Sequence, residues 1–191
     1  MSDISNKPEF HRQDRAYKLV AHNPAWGQEY KRQAAHLREI LGDVIIQIEH
    51  IGSTALPDIV AKPQIDILVK VRNLEEVRNH VPDLESHGYT SRGDFTATGE
   101  EYFTVDAPDG ARLVSIHMMS KDNKEGDDMV ILRDYLIANE ADRRLYEQTK
   151  LTLKGTHPDS YNAYSKEKRT VIDEIKDRAL RWHKISQQKE A

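Results

Sequence analysis

The sequence predicts an α/β (α+β) fold, in which a mixed β-sheet is flanked by helices and followed by a helical C-terminal third. Two segments rich in β-branched residues, 44–50 and 64–71, are typical of buried strands. Two further apolar segments are joined by a Pro-Asp-Gly turn at 108–110, which favours a hairpin. From about residue 126 onward, apolar residues recur at helical spacing.

The N-terminal segment predicts a tail, a strand and a helix. Residues 1–15 are polar and aperiodic, so we expect a flexible tail there. Residues 17–21 indicate a short strand. Asn23 as a cap, with Pro24 at the first helical position, predicts a helix that Gly42 stops.

The central segment predicts two strands and another helix. The strands expected at 44–50 and 64–71 are connected by a loop, 52–62, that contains glycine and proline. Asn73 predicts the cap of the next helix, which Pro82 is expected to kink or end.

The remaining chain predicts a hairpin and then helices. Its strands are expected at 101–106 and 112–119, on either side of the turn. Residues from about 126 to 185 are expected to be helical. The last helix spans roughly 160–183, and a polar tail follows Ile185.

Composition narrows the possible classes of function. The chain has 191 residues, a formal charge of −4 and no cysteine, which excludes disulfides, thiolate catalysis and cysteine-bound metal clusters. Residues 16–185 are expected to form one domain of ordinary size. The mild charge argues against nucleic acid as a partner. Because we find neither a long apolar stretch nor a secretory signal, we expect no membrane association and a cytoplasmic location.

The segment from His50 to Val69 contains the residues that point to chemistry. Gly52 allows the backbone to approach a ligand closely, and Ser53 and Thr54 offer N–H and hydroxyl donors to a phosphate. Asp66 lies within an apolar strand, where a carboxylate is costly unless it is paired or bound to a metal. These four residues are therefore our first candidates for a site.

A Gly-Ser turn after one strand and an acid on the next strand resemble the nucleotidyltransferase superfamily. The resemblance implies a nucleotidyltransferase-like fold, with nucleotide phosphates on the turn and a divalent metal, Mg²⁺ or Mn²⁺, on the carboxylates. Two metal ions can activate an attacking oxygen and neutralise the pyrophosphate that leaves.

Longer motifs are similar to the GrpB family, in family order, over about residues 17–182. They are Asn23-Pro-Ala-Trp26, Glu49-His-Ile-Gly-Ser-Thr-Ala-Leu-Pro57, Ala61-Lys-Pro-Gln-Ile-Asp66, Leu132-Arg-Asp-Tyr-Leu136, the pair Tyr146 and Lys150, and the pair Tyr164 and Lys168. The family brings no settled substrate, and related domains also occur fused to dephospho-CoA kinases.

The chain departs from the superfamily pattern around Asp66. Gln64 and Leu68 stand two residues on either side of it, where further acids are expected. His117, with Ser115 two residues before it on the same face, takes the position of the third acid. His117 could ligate a metal as neutral imidazole or act as a general base.

We therefore expect Asp66 and His117 to be the catalytic residues and, together with Glu49 and His50, to be the candidate metal ligands. In the alternative interpretation, both histidines are hydrogen-bonded core residues. Asp66 would then be a buried structural carboxylate paired with Lys62 or Arg112.

Three cations are expected to reach a phosphate, namely Lys62, Arg133 and Lys150. Each has a structural alternative. Lys62 would be a solvated loop residue, and Arg133 would form an ion pair with Asp134 between helix and sheet. Lys150 would face water on a helix surface, as would Lys168.

The preferred function is a metal-dependent nucleotidyltransferase-like enzyme that uses NTP on an unknown small-molecule acceptor. The alternative is a catalytically weakened module that binds a nucleotide or a CoA precursor. A third possibility is a scaffold without a small-molecule site, in which the candidate residues would not converge on an accessible cavity.

Overall fold

The computed structural model describes residues 17–95 and 98–190, so the tail predicted at 1–15 lies outside the described residues. The elements are α1 Ala25–Leu41, β1 Ile45–Ile51, β2 Ile65–Val71, α2 Leu74–Asn79, α3 Val81–Ser86, β3 Thr90–Ser91, β4 Glu100–Asp106, β5 Arg112–Ser120, α4 Lys124–Ala138, α5 Glu140–Thr156 and α6 Tyr161–Glu190. The predicted mixed α+β class, with its helical C-terminal third, is confirmed.

The sheet has five strands in the order β1-β2-β5-β4-β3. β5 runs parallel to β2, while the other neighbouring pairs are antiparallel. Insertion of β5 between β2 and β4 is the step that brings residues distant in sequence together at the centre of the sheet.

The helix signals of the sequence correspond to real caps. The Asn23 side chain accepts a hydrogen bond from the Ala25 amide at 3.0 Å, and the Asn73 side chain accepts one from Glu75 at 2.8 Å. Pro82 lies in the first turn of α3, so the break between α2 and α3 falls just before it, at His80.

Two expectations about individual elements were wrong, and one strand was missed. Residues 17–21 form only a single bridge, between Val20 and Ala61, rather than a strand. The polar segment after Ile185 continues α6 to Glu190 instead of forming a tail. The strand β3 was not predicted, because two polar residues are too few to show the alternation of apolar and polar residues that marks a strand.

The two faces of the sheet have different partners, because successive side chains of a strand point to opposite faces. One face packs against α1, α2 and α3 in the main core. Its buried residues include Ile67, Val69, Ile116, Met118 and Phe103 from the strands and Trp26, Leu37, Val77 and Leu84 from the helices. The other face carries Asp66, Ser115 and His117 and is covered by the C-terminal helices.

The C-terminal helices pack on one another through a second apolar cluster. It includes Leu56, Ile59, Tyr135, Leu136, Tyr146, Ile175 and Ala179. This cluster anchors α4, α5 and α6 beside the sheet and leaves a cleft between them and the strands. None of the helices in the described part of the chain is both long and apolar enough to cross a membrane.

Candidate functional site

A cavity of about 420 Å³ lies between the sheet and the C-terminal helices. From the sheet side it is lined by Gly52, Asp66 and His117, and from the helices by residues that include Arg133, Tyr146, Lys168 and Lys176. A concave space of this size, with a few converging polar groups, is typical of a small-molecule site.

Gly52 and Asp66 meet at the end of the first two strands. Ile51 is paired with Asp66 across the antiparallel ladder, so Gly52 continues the chain directly past the carboxylate. Gly52 has a φ of 72°, and a Cβ there would lie 2.5 Å from Oδ2 of Asp66. Only glycine therefore allows the backbone to approach this carboxylate and take this conformation.

Gln64 holds the Asp66 carboxylate in place. Its Nε2 donates to Oδ1 of Asp66 at 2.8 Å and to Oγ of Ser115 at 3.0 Å. Arg112, one of the two partners considered for Asp66, forms its ion pair with Asp106 instead. The residue that stands where an acid was expected thus acts as a hydrogen-bond donor to the acid that is present.

The hydroxyl groups of the turn are used within the protein. The Ser53 hydroxyl lies 2.9 Å from the hydroxyl of Tyr146. The Thr54 hydroxyl donates to the carbonyl oxygen of Gln64 at 3.2 Å and lies 3.0 Å from Nε2 of His50. These contacts fix the turn against β2 and α5.

His117 lies on the cavity, one register step beyond Asp66. It is paired with Leu68, whereas Ser115 is the residue paired with Asp66. Nδ1 of His117 lies 2.7 Å from Oε2 of Glu100, whose side chain is fully buried. This bond leaves Nε2 as the nitrogen available to a ligand.

Sequence reasoning missed Glu100. The signal was present in the alternation of β4, where Glu100, Tyr102 and Thr104 share the face that carries His117. A sequence alone does not reveal which strand of the sheet is the neighbour.

The four candidate metal ligands do not come together. His50 points to the opposite face of β1, where its ring stacks on Tyr30 at 4.8 Å. Burial lowers the pKa of His50 to about 4; the charge of Asp66 opposes this effect and that of Arg133 adds to it. The imidazole is therefore neutral at pH 7. In the described residues, no group of three or more His, Asp or Glu side chains is arranged to hold a metal ion.

Arg133 connects α4 to the sheet through the remaining candidate, Glu49. Its Nη1 lies 2.6 Å from Oε2 of Glu49 and donates to the carbonyl oxygen of His50 at 3.0 Å. Arg133 also forms an ion pair with Asp134 at 2.8 Å. The helix-to-sheet contact that we considered therefore exists, with Glu49 as the sheet partner.

Lys150 and Lys168 occupy different environments. Lys150 is buried, donates to the carbonyl oxygen of Val60 and lies 4.4 Å from the ring centroid of Tyr146. Burial, reinforced by the charge of Lys168, lowers the pKa of Lys150 to about 7. Lys168, by contrast, lines the cavity, although its position on a helix gave no clear sign of this.

Lys62 contributes to a second cavity rather than to this cleft. Its ammonium donates to the hydroxyl of Tyr161 at 2.9 Å and lies 4.1 Å from the centroid of that ring. Of the three cations expected to reach a phosphate, Arg133 alone lines the first cavity.

These features define a mixed α+β protein with a ligand-sized cleft, lined by apolar and polar residues, between its sheet and its C-terminal helices. The chain belongs to the GrpB family, since the family model described as GrpB protein matches residues 16–178.

Two bacterial relatives are similar along most of the chain. The UPF0157 protein YqkA of Bacillus subtilis is 32% identical over 170 residues, which cover 89% of this chain and 49% of YqkA. The UPF0157 protein BH1888 of Halalkalibacterium halodurans is 35% identical over 164 residues, covering 84% of this chain and 81% of BH1888. The chain therefore spans about half the length of YqkA and most of BH1888.

A solved structure shares the fold. It is described as the crystal structure of conserved protein GrpB from Enterococcus faecalis, and it aligns with a TM-score of 0.81 at 32% identity, covering 87% of this chain and 99% of that one. A shorter match, 35% identical over 75 residues, joins 38% of this chain to 18% of a dephospho-CoA kinase from Mycobacterium tuberculosis.

Proposed function

We propose that this protein binds a nucleotide or a related phosphate ester in the cleft and transfers a phosphorus-containing group from it, as a nucleotidyltransferase-like enzyme. The observation that carries the proposal is the contact between Gly52 and Asp66 at the edge of the cavity. A glycine turn beside a strand carboxylate is the arrangement that this chemistry uses to hold phosphates and to organise the charge around them.

Lys168 supports a negatively charged ligand in the same cavity. Two other cations of the lining are neutralised by carboxylates, Arg133 by Glu49 and Lys176 by Asp128. In the described residues Lys168 has no carboxylate within salt-bridge distance, and its ammonium lies 5.7 Å from the ring centroid of Tyr164. The Tyr146 hydroxyl raises the pKa of Lys168 against the effect of burial, so Lys168 is a cation at pH 7.

The donor set fits a divalent cation only when the ligand supplies part of the coordination. Asp66 offers one carboxylate and His117 one ring nitrogen, and Gln64 already donates to Oδ1 of Asp66. Mg²⁺ is commonly held by one or two carboxylates together with substrate phosphates and water. Mg²⁺ or Mn²⁺ bound in this way at Asp66 would neutralise phosphate charge during transfer.

His117 is the candidate base for the acceptor. Because Glu100 binds Nδ1, the imidazole presents Nε2 to the cavity and can take a proton from an acceptor hydroxyl there. Glu100 acts as the positioning residue, since it fixes the orientation of the ring. The acceptor would lie between this ring and the helices that cover the cleft.

A thermal-shift panel tests the proposal. NTPs, CoA and dephospho-CoA, each with and without Mg²⁺ or Mn²⁺, are added to the wild type and to the Asp66→Asn and Lys168→Gln variants. Asp122→Asn, a matched change at an exposed carboxylate, serves as the control. We expect a nucleotide to raise the melting temperature of the wild type and the control, as binding to the folded state requires.

The variants separate binding from catalysis. In Lys168→Gln, nucleotides should no longer raise the melting temperature. In Asp66→Asn, the part of that rise that depends on Mg²⁺ should be lost, together with NTP turnover. Turnover that survives Asp66→Asn would overturn the enzymatic proposal.

The second candidate function is a binding module that has lost catalysis. Gln64 and Leu68 favour it, because neither can supply the second carboxylate that phosphorus-group transfer ordinarily uses. The partial similarity to a dephospho-CoA kinase makes CoA precursors a ligand class to test. A ligand-dependent shift that is independent of metal and accompanied by no product would select this candidate over the first.

A further inference from the structure

The second cavity, of about 370 Å³, lies where β2 and β5 begin. These strands are parallel, so their first residues meet at the same edge of the sheet. Lys62 and Gln64 come from the segment before β2, Arg112 opens β5, and Tyr161 opens α6.

The lining of this cavity is strongly cationic. It contains Lys18, Lys62 and Arg112 against a single carboxylate, Asp109. The ammonium of Lys62 donates only to neutral groups, the Tyr161 hydroxyl at 2.9 Å and Oε1 of Gln64 at 3.4 Å, among the contacts of the described residues. Its charge is therefore not neutralised within the protein.

Arg112 is held rigidly at the wall of this cavity. Its Nε donates to Asp106 at 2.5 Å, and its Nη1 donates to the Tyr102 hydroxyl at 2.9 Å. These two bonds hold the guanidinium in one plane, so Arg112 loses little side-chain entropy when a ligand binds beside it.

Positive charge from Lys62 and from the neighbouring Lys168 already acts on an oxygen atom of the cavity, the Tyr161 hydroxyl. Burial raises the pKa of Tyr161, but Lys62 and Lys168 outweigh this effect and lower it to about 8. A potential that favours a phenolate also favours an oxyanion brought by a ligand.

We propose that this cavity binds the phosphate group of a phosphomonoester. Asp106, the ion-pair partner of Arg112, is shared with Arg92, so Lys18, Lys62 and the two arginines stand against two carboxylates, Asp106 and Asp109. The resulting excess of two positive charges matches a phosphate dianion better than a monocarboxylate. Gln64 connects the two cavities, since its amide group accepts from Lys62 and donates to Asp66. That the phosphomonoester is the acceptor rests on the proposed function, whereas phosphate binding itself does not.

Calorimetric titration with inorganic phosphate, at ionic strength matched with NaCl, tests the site on the full chain. We expect the wild type to bind phosphate and Lys62→Gln to bind it about tenfold more weakly, a loss of roughly 1.4 kcal/mol. The exposed Lys121→Gln variant should bind phosphate as the wild type does.

A second variant keeps the test independent of the packing of Lys62 on Tyr161. Ala111 is exposed on the wall of the cavity, so Ala111→Glu adds a negative charge there without disturbing the core. We expect it to abolish phosphate binding while its urea unfolding curve remains that of the wild type.

Two results would overturn the proposal. One is a titration in which phosphate gives no more binding signal than NaCl at the same ionic strength. The other is a loss of binding in Lys168→Gln but not in Lys62→Gln, which would place the anion in the first cavity. Binding that depends on Lys62, in a protein whose Asp66 and Lys168 variants show no nucleotide effect, would uphold this site and refute the proposed function.

Discussion

The backbone of Gly52 lies against the carboxylate of Asp66, closely enough that a Cβ at position 52 would stand 2.5 Å from Oδ2 and 3.0 Å from Cβ of Asp66. The same glycine has a positive φ of 72°, which side chains disfavour. Two independent constraints, one steric and one conformational, therefore exclude a side chain at this position.

Gly52→Ala should consequently lower the free energy of unfolding by about 1–3 kcal/mol, the cost of a strained backbone plus the displacement of Asp66. It should also remove the nucleotide-dependent thermal shift. Gly27→Ala is the matched control, because Gly27 lies within α1 and a Cβ there would meet nothing within 4 Å. That control should be neutral or stabilise by about 0.5–1 kcal/mol in urea unfolding. Equal stabilities of the two variants would contradict the geometry of the turn.

Replacing Arg133 tests whether it serves structure or phosphate binding. Its side chain and that of Glu49 are 15% and 25% exposed, so Arg133→Met should destabilise the protein by about 1–3 kcal/mol. A double-mutant cycle with Glu49→Gln should give a coupling energy of roughly 1 kcal/mol. The exposed ion pair between Arg32 and Glu29 on α1 gives the control, since Arg32→Met should cost less than about 0.5 kcal/mol. A variant of Arg133 that keeps its stability but loses nucleotide binding would assign the residue to the ligand instead.

His50 should make stability depend on pH below neutrality. Its pKa is lowered by burial to about 4 from 6.5, so between these values the unfolded chain binds a proton that the folded chain does not. Stability is therefore complete above about pH 6.5 and is lost as the pH falls towards 4. In His50→Gln, the difference between the unfolding free energies at neutral and acidic pH should shrink by about 2 kcal/mol. An unchanged difference would show that His50 is not buried as a neutral group.

Lys150 should make the stability depend on pH above neutrality, and here too stability should rise as the pH increases. Burial, followed by the charge of Lys168, lowers its pKa from 10.5 to about 7. The unfolded chain therefore holds the extra proton between these values, and stability rises as the pH increases from 7 to 10.5. Lys150→Met should flatten this rise by a few kcal/mol, at roughly 1.4 kcal/mol for each pKa unit. Chemical denaturation at a series of pH values measures the slope, and Lys121→Met, on the surface, should leave it unchanged.

Local signals predicted most elements of this fold. The β-branched segments gave β1 and β2, Asn23 and Asn73 gave the starts of helices, and the Pro-Asp-Gly turn gave the hairpin, where the Gly110 amide donates to Ala107 at 2.8 Å. Each of these signals depends on steric and hydrogen-bonding preferences within a few residues, which a single sequence contains in full.

The candidate site was predictable only in part. Gly52 and Asp66 could be placed together because they lie on consecutive strands that a single loop connects. Glu100 and Lys168 could not, because their positions depend on which strand neighbours β5 and on which face α6 turns to the cleft. The environment of Lys150 was unpredictable for the same reason, because only the packing of the helices places its ammonium against the carbonyl oxygen of Val60.

The sequence by itself determined the class of fold, the family and the glycine turn beside an acidic strand, since these follow from local patterns and ordered motifs. The tertiary structure decided that Ser115 and His117 lie beside Asp66 and Leu68, that Glu49 binds Arg133, and that Lys62 belongs to a separate cavity. The physical reason is that strand order and helix packing are settled by long-range burial of apolar surface, whose partners are far apart along the chain.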